Sequence, residues 1–208
     1  MKKKLYIVGA GSVGKHLAAN INDYTNEYAL TGFFDDDPKK IGQEYFGCPV
    51  VGRTDRVNEL DSAAIVLGIA FPKVKAQLVK SFELNKNLSF PSFIHPAAWV
   101  SKGVLIGGGS IIYPGSMINY GSKIGKFVVM NMNCSIGHHT AIGDYSSLAP
   151  GVNTGGHTTI GERVDLGIGA STIQNIEIGN DCIVGGQCMI IRNIGPESTV
   201  VGVPGKII

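Results

Sequence analysis

Ile136-Gly137-His138-His139-Thr140-Ala141-Ile142-Gly143-Asp144-Tyr145-Ser146-Ser147-Leu148 carries an aliphatic residue at every sixth place. The step extends in both directions without slipping. It runs through Ile94, Val100, Ile106, Ile112, Ile118, Ile124 and Met130 before this stretch, and through Thr154, Ile160, Leu166, Thr172, Ile178, Val184 and Ile190 after it. Fifteen of the seventeen step residues are aliphatic and the other two are threonine. The residue after the step is glycine nine times, Gly107, Gly137 and Gly143 among them. Four places after a step sits a small or β-branched residue such as Ser110, Ser122, Cys134, Thr140, Ser146, Thr158, Cys182 or Cys188. Neither a helix (period 3.6) nor an alternating strand (period 2) produces this pattern. A hexapeptide repeat does, and it specifies a parallel β-helix. Each hexapeptide gives one short strand and one turn, and three give a triangular coil of 18 residues. Coils stack at roughly the ~4.8 Å strand spacing, so residues 94–190 make between five and six coils. The glycines after the steps are expected to relieve turns at positive φ.

The coil length also aligns residues far apart in sequence. His139 and His157 are 18 apart and occupy equivalent places in successive coils. His138 stands over Gly156 in the same way, and a bulky side chain over a glycine leaves a cleft.

Upstream of residue 90 the pattern is different. Lys4–Val8, Tyr28–Phe34 and Ala63–Leu67 read as strands. Ser12–Ile21 and Pro72–Phe82 read as helices, the latter opened by proline in its first turn. This βαβ alternation predicts a small parallel sheet with helices on its faces. The expected domains are therefore 1–90, a Rossmann-like nucleotide-binding half, and 91–208, the β-helix. Gly9-Ala10-Gly11-Ser12-Val13-Gly14 lies between the first strand and first helix, and Asp35 ends the next strand, which matches the dinucleotide fingerprint. Some 90 residues suffice for one mononucleotide-binding half, which favours a nucleotide or nucleotide sugar over NAD. Gly68, after Ala63–Leu67, is placed to line the same crevice.

Composition removes several function classes. The 208 residues have a formal net charge of +2, so there is no basic field for nucleic acid. Met1-Lys2-Lys3-Lys4 resembles the start of a signal peptide, but Leu5–Val8 is too short for the apolar segment that must follow. No apolar run approaches the ~20 residues of a membrane helix, and a cytoplasmic protein is expected. Cys48, Cys134, Cys182 and Cys188 form no CxxC pair, so no disulfide scaffold or zinc site is expected, and the last three read as packing residues. Arg163, Arg192 and Lys206 read as surface cations.

The GxGxxG half, the strand end Gly32-Phe33-Phe34-Asp35-Asp36-Asp37-Pro38, and a hexapeptide helix closing in Val201-Gly202-Val203-Pro204-Gly205-Lys206 together resemble the NeuD-like family of sugar acyltransferases, with its PglD and PerB types. The resemblance covers essentially the whole chain. It implies a left-handed β-helix and an acetyl-CoA-dependent, homotrimeric N-acetyltransferase of glycan biosynthesis. The acceptor would be a nucleotide-linked amino sugar, with a UDP-linked 4-amino-4-deoxy sugar favoured. It also implies that Gly11, Ser12, Val13, Asp35, Asp36 and Gly68 meet the nucleotide sugar, and that Gly156, Ile168 and Gly186 meet acetyl-CoA. His138 takes the place of the general base. Two positions depart from the family pattern: His139 replaces an acidic residue, and Ser147 replaces a histidine that touches substrate in some members.

Acyl transfer to an amine needs a proton acceptor, donors for the thioester oxyanion and a groove for both substrates. Histidine suits the first task. Gly137, Gly143, Gly155 and Gly156 are the nearby backbone donors. No GxSxG elbow is present, so direct transfer is preferred to an acyl-enzyme. O-acetylation of sialic acid or a related sugar is the first alternative. A γ-carbonic-anhydrase-like zinc enzyme using His138, His139 and His157 is the second. Otherwise no metal is expected.

Overall fold

The computed structural model describes residues 2–208, in two compact units: one ends at Phe93 and the other is Ile94–Ile208.

The first unit contains strands β1 (Lys3–Val8), β2 (Tyr28–Phe34), β3 (Glu44–Tyr45), β4 (Cys48–Gly52), β5 (Ala63–Leu67) and β6 (Leu88–Ser89), with helices α1 (Ser12–Ala19), α2 (Ile21–Tyr24) and α3 (Pro72–Phe82). The sheet order is β3-β4-β2-β1-β5-β6, parallel except for the antiparallel β3–β4 pair. All five residues of β5 are buried. This is why it reads as an unbroken apolar run: a parallel strand covered on both faces has no polar side to show. Val13, Gly14, Leu17 and Ala18 form the buried stripe of α1. The sequence predicts one helix to Ile21, but α1 ends at Ala19. Asn20 breaks it: its backbone N–H is shared between the carbonyls of His16 and Leu17, and its Nδ2 donates to the His16 carbonyl at 2.8 Å. Asparagine competes in this way for local backbone groups. The β3–β4 hairpin leaves no periodic signal, because β3 has two residues and Pro49 stands opposite Glu44 in the ladder.

The second unit is a three-sided parallel stack, the architecture of a left-handed β-helix. One face runs Ile111–Ile112, Val129–Met130, Ser147–Leu148, Asp165–Leu166, Ile183–Val184, Thr199–Val201. The next runs Trp99–Val100, Met117–Ile118, Ser135–Ile136, Asn153–Thr154, Ser171–Thr172, Met189–Ile190. The third runs Leu105–Ile106, Lys123–Ile124, Ala141–Ile142, Thr159–Ile160, Glu177–Ile178. Successive rungs pair in parallel at an offset of 18 residues, as in Ile136↔Thr154 and Ile142↔Ile160, until the last coil, where Ile183↔Thr199 pairs at 16. The step residues fill the prism: Ile118, Ile136, Ile142, Leu148 and Ile160 are at most 3% exposed. At the C-terminus Val200 and Val201 pair antiparallel with Ile207 and Lys206, which reverses the chain against the last parallel rung. An edge closed this way no longer offers a parallel template.

The small interior residues are hydrogen-bonding devices. The Ser110 hydroxyl donates to the Gly125 carbonyl (2.9 Å) and accepts the Val128 N–H (3.1 Å). Ser116, Ser122 and Ser146 repeat the arrangement one or more turns on. Each hydroxyl thereby satisfies a buried turn carbonyl and a buried N–H, which would otherwise cost about 1–3 kcal/mol each. Cys134 takes the same position: burial pushes its thiol up to about 11, and its Sγ faces the Ala149 carbonyl at 3.3 Å. It is therefore a packing thiol.

The glycines after the steps correct the expectation of positive φ. Gly137 and Gly143 are not in that region. A Cβ on Gly143 would stand 2.5 Å from the Gly161 carbonyl carbon in the next coil, so glycine is there for close approach between coils. The positive φ falls two residues later, at Phe127, Asn133, His139, Tyr145 and His157, among others.

Ile142→Ala is expected to destabilise the β-helix by about 2–5 kcal/mol, as for other buried aliphatic truncations. Chemical denaturation followed by circular dichroism measures it.

Candidate active site

Turn residues in equivalent positions form columns down each corner of the prism. Tyr120, His138 and Gly156 make one column, and Gly121, His139, His157 and Asn175 the column beside it. Both run along the corner between the faces that carry Ser135–Ile136 and Ala141–Ile142. The columns bring three imidazoles together. Nδ1 of His138 lies 3.1 Å from Nδ1 of His139. The His139 and His157 rings stack in parallel, 4.8 Å apart and 1° from coplanar orientation. His138 packs edge-on against both, and Tyr120 stacks on its other side at 5.6 Å. Beneath the His138 ring is Gly156, where a Cβ would sit 2.6 Å from Nε2. The missing side chain therefore leaves the outer nitrogen of His138 its space. His138 is half-buried, and His139 and His157 are exposed.

With the Nδ1 atoms in contact, one imidazole must donate and the other accept. If His138 donates from Nδ1, its Nε2 keeps the free lone pair that a base needs. In that arrangement His139 Nδ1 is the acceptor that orients the His138 ring. Of the four expected backbone donors, three are committed to the stack. Gly143 N–H donates to the Ile160 carbonyl and Gly155 N–H to the Thr172 carbonyl. Gly137 N–H donates to the Thr154 hydroxyl at 3.0 Å. Among the described residues, only Gly156 of the four keeps an N–H outside this ladder. The two threonines that interrupt the aliphatic step, Thr154 and Thr172, lie beside this corner, with Thr154 Oγ1 3.4 Å from Thr140 Oγ1 and Thr172 Oγ1 3.2 Å from Thr158 Oγ1.

One ring nitrogen each from His138, His139 and His157 lies within 4.8 Å of the others, the one such three-residue group among the described residues. The parallel His139 and His157 rings, however, send their in-plane lone pairs side by side rather than to one point.

The first unit has its own cleft of about 570 Å³ at the carboxyl ends of its central strands. Gly9, Gly11, Ser12, Val13, Asp35, Asp36 and Gly68 line it, with Ile69, Phe71, Val74 and Leu78 forming an apolar wall. Helix α1 enters it with no side-chain cap and no acidic residue in its first turn, an N-terminus suited to an anion. Gly68 is there for close packing: a Cβ would be 2.4 Å from the Gly14 Cα. The two carboxylates are already engaged. Asp35 accepts the Ala10 N–H at 2.7 Å, the Asp37 N–H at 3.0 Å and Lys40 Nζ at 2.9 Å. Asp36 accepts both the N–H and the hydroxyl of Thr54. Asp35 therefore fixes the glycine loop. Burial pushes its carboxyl up, but the two N–H donors and Lys40 outweigh that and hold it below the ordinary 3.8.

The remaining expected contacts lie elsewhere. Ile168, which is 61% exposed, and Gly186 stack in one column on a different corner from Gly156, beside the opposite edge of the same face. Ser147 is buried in a strand of another face and does not join the histidines. Arg163 is clamped by Asp181 through two 2.9 Å bonds and by Glu162 at 2.7 Å, so it is not a spare cation.

Residues 4–82 match the PglD N-terminal domain family. Over essentially the whole chain the fold matches PerB from Caulobacter crescentus in complex with CoA and GDP-perosamine, with a TM-score of 0.89, 28% identity and coverage of 99% of this chain and 97% of that one. Over its whole length the chain is similar to PglD/PerB-type sugar acetyltransferases. The acetyltransferase domain of PglB from Neisseria gonorrhoeae, in complex with acetyl coenzyme A, gives a TM-score of 0.90 at 28% identity, covering 100% of both chains. A curated relative, the UDP-N-acetylbacillosamine N-acetyltransferase of Bacillus subtilis, is 32% identical over 111 residues, which is 52% of this chain and half of that protein's length.

The sequence pattern alone misses three residues at these sites. Tyr120 is found by stepping back 18 from His138. Thr154 is visible as a break in the aliphatic step. Lys40 has no sequence signal, since only the turn after Asp35 brings it back.

Two outcomes are expected. Gly156→Ala places a methyl group against the His138 ring and should lower turnover at least tenfold while leaving the melting temperature nearly unchanged; steady-state kinetics and thermal melts check this. The stabilising contribution of Asp35 is present above the ordinary carboxylate value and fades as pH falls through its lowered value in the folded chain. Wild type should therefore lose more melting temperature between pH 6 and pH 3 than Asp35→Asn.

Proposed function

We propose that the protein transfers the acetyl group of acetyl-CoA to the amino group of a nucleotide-linked amino sugar, with His138 as general base. The observation that carries this reading is the whole-chain match to acetyltransferases solved with CoA, acetyl-CoA and GDP-perosamine. The curated relative acts on a UDP-linked sugar, which favours the UDP-linked 4-amino-4-deoxy class.

The chemistry follows from the histidine corner. The neutral amine attacks the thioester carbonyl carbon, and its proton passes to Nε2 of His138. Collapse of the tetrahedral intermediate breaks the C–S bond, and the proton leaves with the CoA thiol. His139 Nδ1 holds the His138 tautomer, and the Gly156 N–H supports the developing oxyanion. The cleft above α1 receives the nucleotide, its diphosphate facing the helix N-terminus. Ile168 and Gly186 belong to the CoA contact surface. The exposed apolar side chains of Trp99 and Met117 on one face, and Leu105 on another, support assembly with further copies as a homotrimer. A cytoplasmic location suits the use of acetyl-CoA.

The deciding assay follows free thiol release from acetyl-CoA against UDP- and GDP-linked amino sugars. Turnover is expected with an amino-sugar acceptor, and His138→Ala should lower it by about 10² or more, the scale of general-base catalysis. Reaction with hydroxyl acceptors alone would replace N-acetylation by O-acetylation. Undiminished turnover in the variant would remove His138 as the base.

A further inference from the structure

We propose that His138, His139 and His157 form a chelating site for a borderline divalent cation such as Zn²⁺, which competes with the proton for His138. The ion would be an inhibitor of the reaction proposed above.

Three observations carry this. First, the 3.1 Å between the Nδ1 atoms of His138 and His139 fits a shared ion as well as a shared proton. A tetrahedral zinc with bonds of about 2.0–2.1 Å holds neighbouring ligand atoms roughly 3.3 Å apart. Second, His157 completes a group in which one ring nitrogen from each of the three histidines lies within 4.8 Å of the others. His157 is exposed, so its ring can turn out of the parallel stack to direct a lone pair at the same point. Third, the backbone is fixed. His139 and His157 sit at φ 55° and 57° in adjacent coils, and the His157 N–H donates to the His138 carbonyl at 2.8 Å. The two turns are thus tied at one rung spacing, and binding orders only side chains. Imidazole suits zinc, copper and nickel. An ion held by three imidazoles keeps a fourth position for water. Because it occupies a ring nitrogen of His138, it opposes the tautomer that catalysis needs.

The test uses the full-length protein, freed of metal by chelator and titrated with ZnCl₂ in a calorimeter. His139→Asn and His157→Asn remove ligands without disturbing the turns, because Asn175 and Asn133 adopt the same φ of 58° at matching turn positions in this chain. One zinc per chain is expected, with at least tenfold weaker binding in either variant. Absence of binding, or binding that both substitutions leave unchanged, would overturn the site. The inhibition rests on His138 as base and is read separately. Zinc should abolish thiol release and a chelator should restore it. Zinc bound at the three histidines without inhibition would support the site and overturn the role of His138 as base.

Discussion

The structure of the second unit depends on one constraint: each coil must lie directly over the last at strand spacing, 18 residues on in all but the final coil. Three features meet it together. The ladder of N–H···O=C bonds joins rungs such as Ile142 and Ile160. Aliphatic step residues fill the prism. Interior hydroxyls such as Ser110 bridge one turn to the next, so buried backbone groups at the corners are paired. Glycines at positions such as Gly143 let the backbones approach. Remove the fixed register and none of the three works, because each joins a residue to a set position in the neighbouring coil.

The same constraint creates the site. Side chains at a corner are spaced like rungs, so a ring over a glycine has a cleft below it and a ring over a ring has a stack. His138 over Gly156 is the first case and His139 over His157 is the second. The interior changes at this corner too. Thr154 replaces an aliphatic step residue and takes the Gly137 N–H, so the peptide leading into His138 is held by a side chain instead of the usual carbonyl. Hydrophobic filling is exchanged there for control of the turn.

In the first unit the organising feature is the Asp35 carboxylate. It ties the end of β2 to the glycine loop after β1 and to Lys40, so the cleft is shaped before a ligand enters. A preorganised loop of this kind presents the start of α1 to an anion with little further ordering. The resemblance implies that the acidic pair meets the nucleotide sugar, and in the structure both carboxylates line the cleft while also accepting hydrogen bonds from the protein itself. A carboxylate at a strand end looks the same in sequence whichever partner it finds.

What the sequence by itself determined is the periodic part: the β-helix, its 18-residue coil, the inward residues, the alignment of His138 with Gly156 and of His139 with His157, and the strands and helices of the first unit with strong apolar runs. Those features repeat, and a repeat places residues in space by counting. Only the tertiary structure decided the rest. It set the contact between the two Nδ1 atoms, the stacking of Tyr120, the commitment of Asp35 and Asp36, the clamping of Arg163 by Asp181, and the true reason for the glycines after the steps. These depend on side-chain rotamers and on which neighbour reaches a group first, and counting along the chain gives neither.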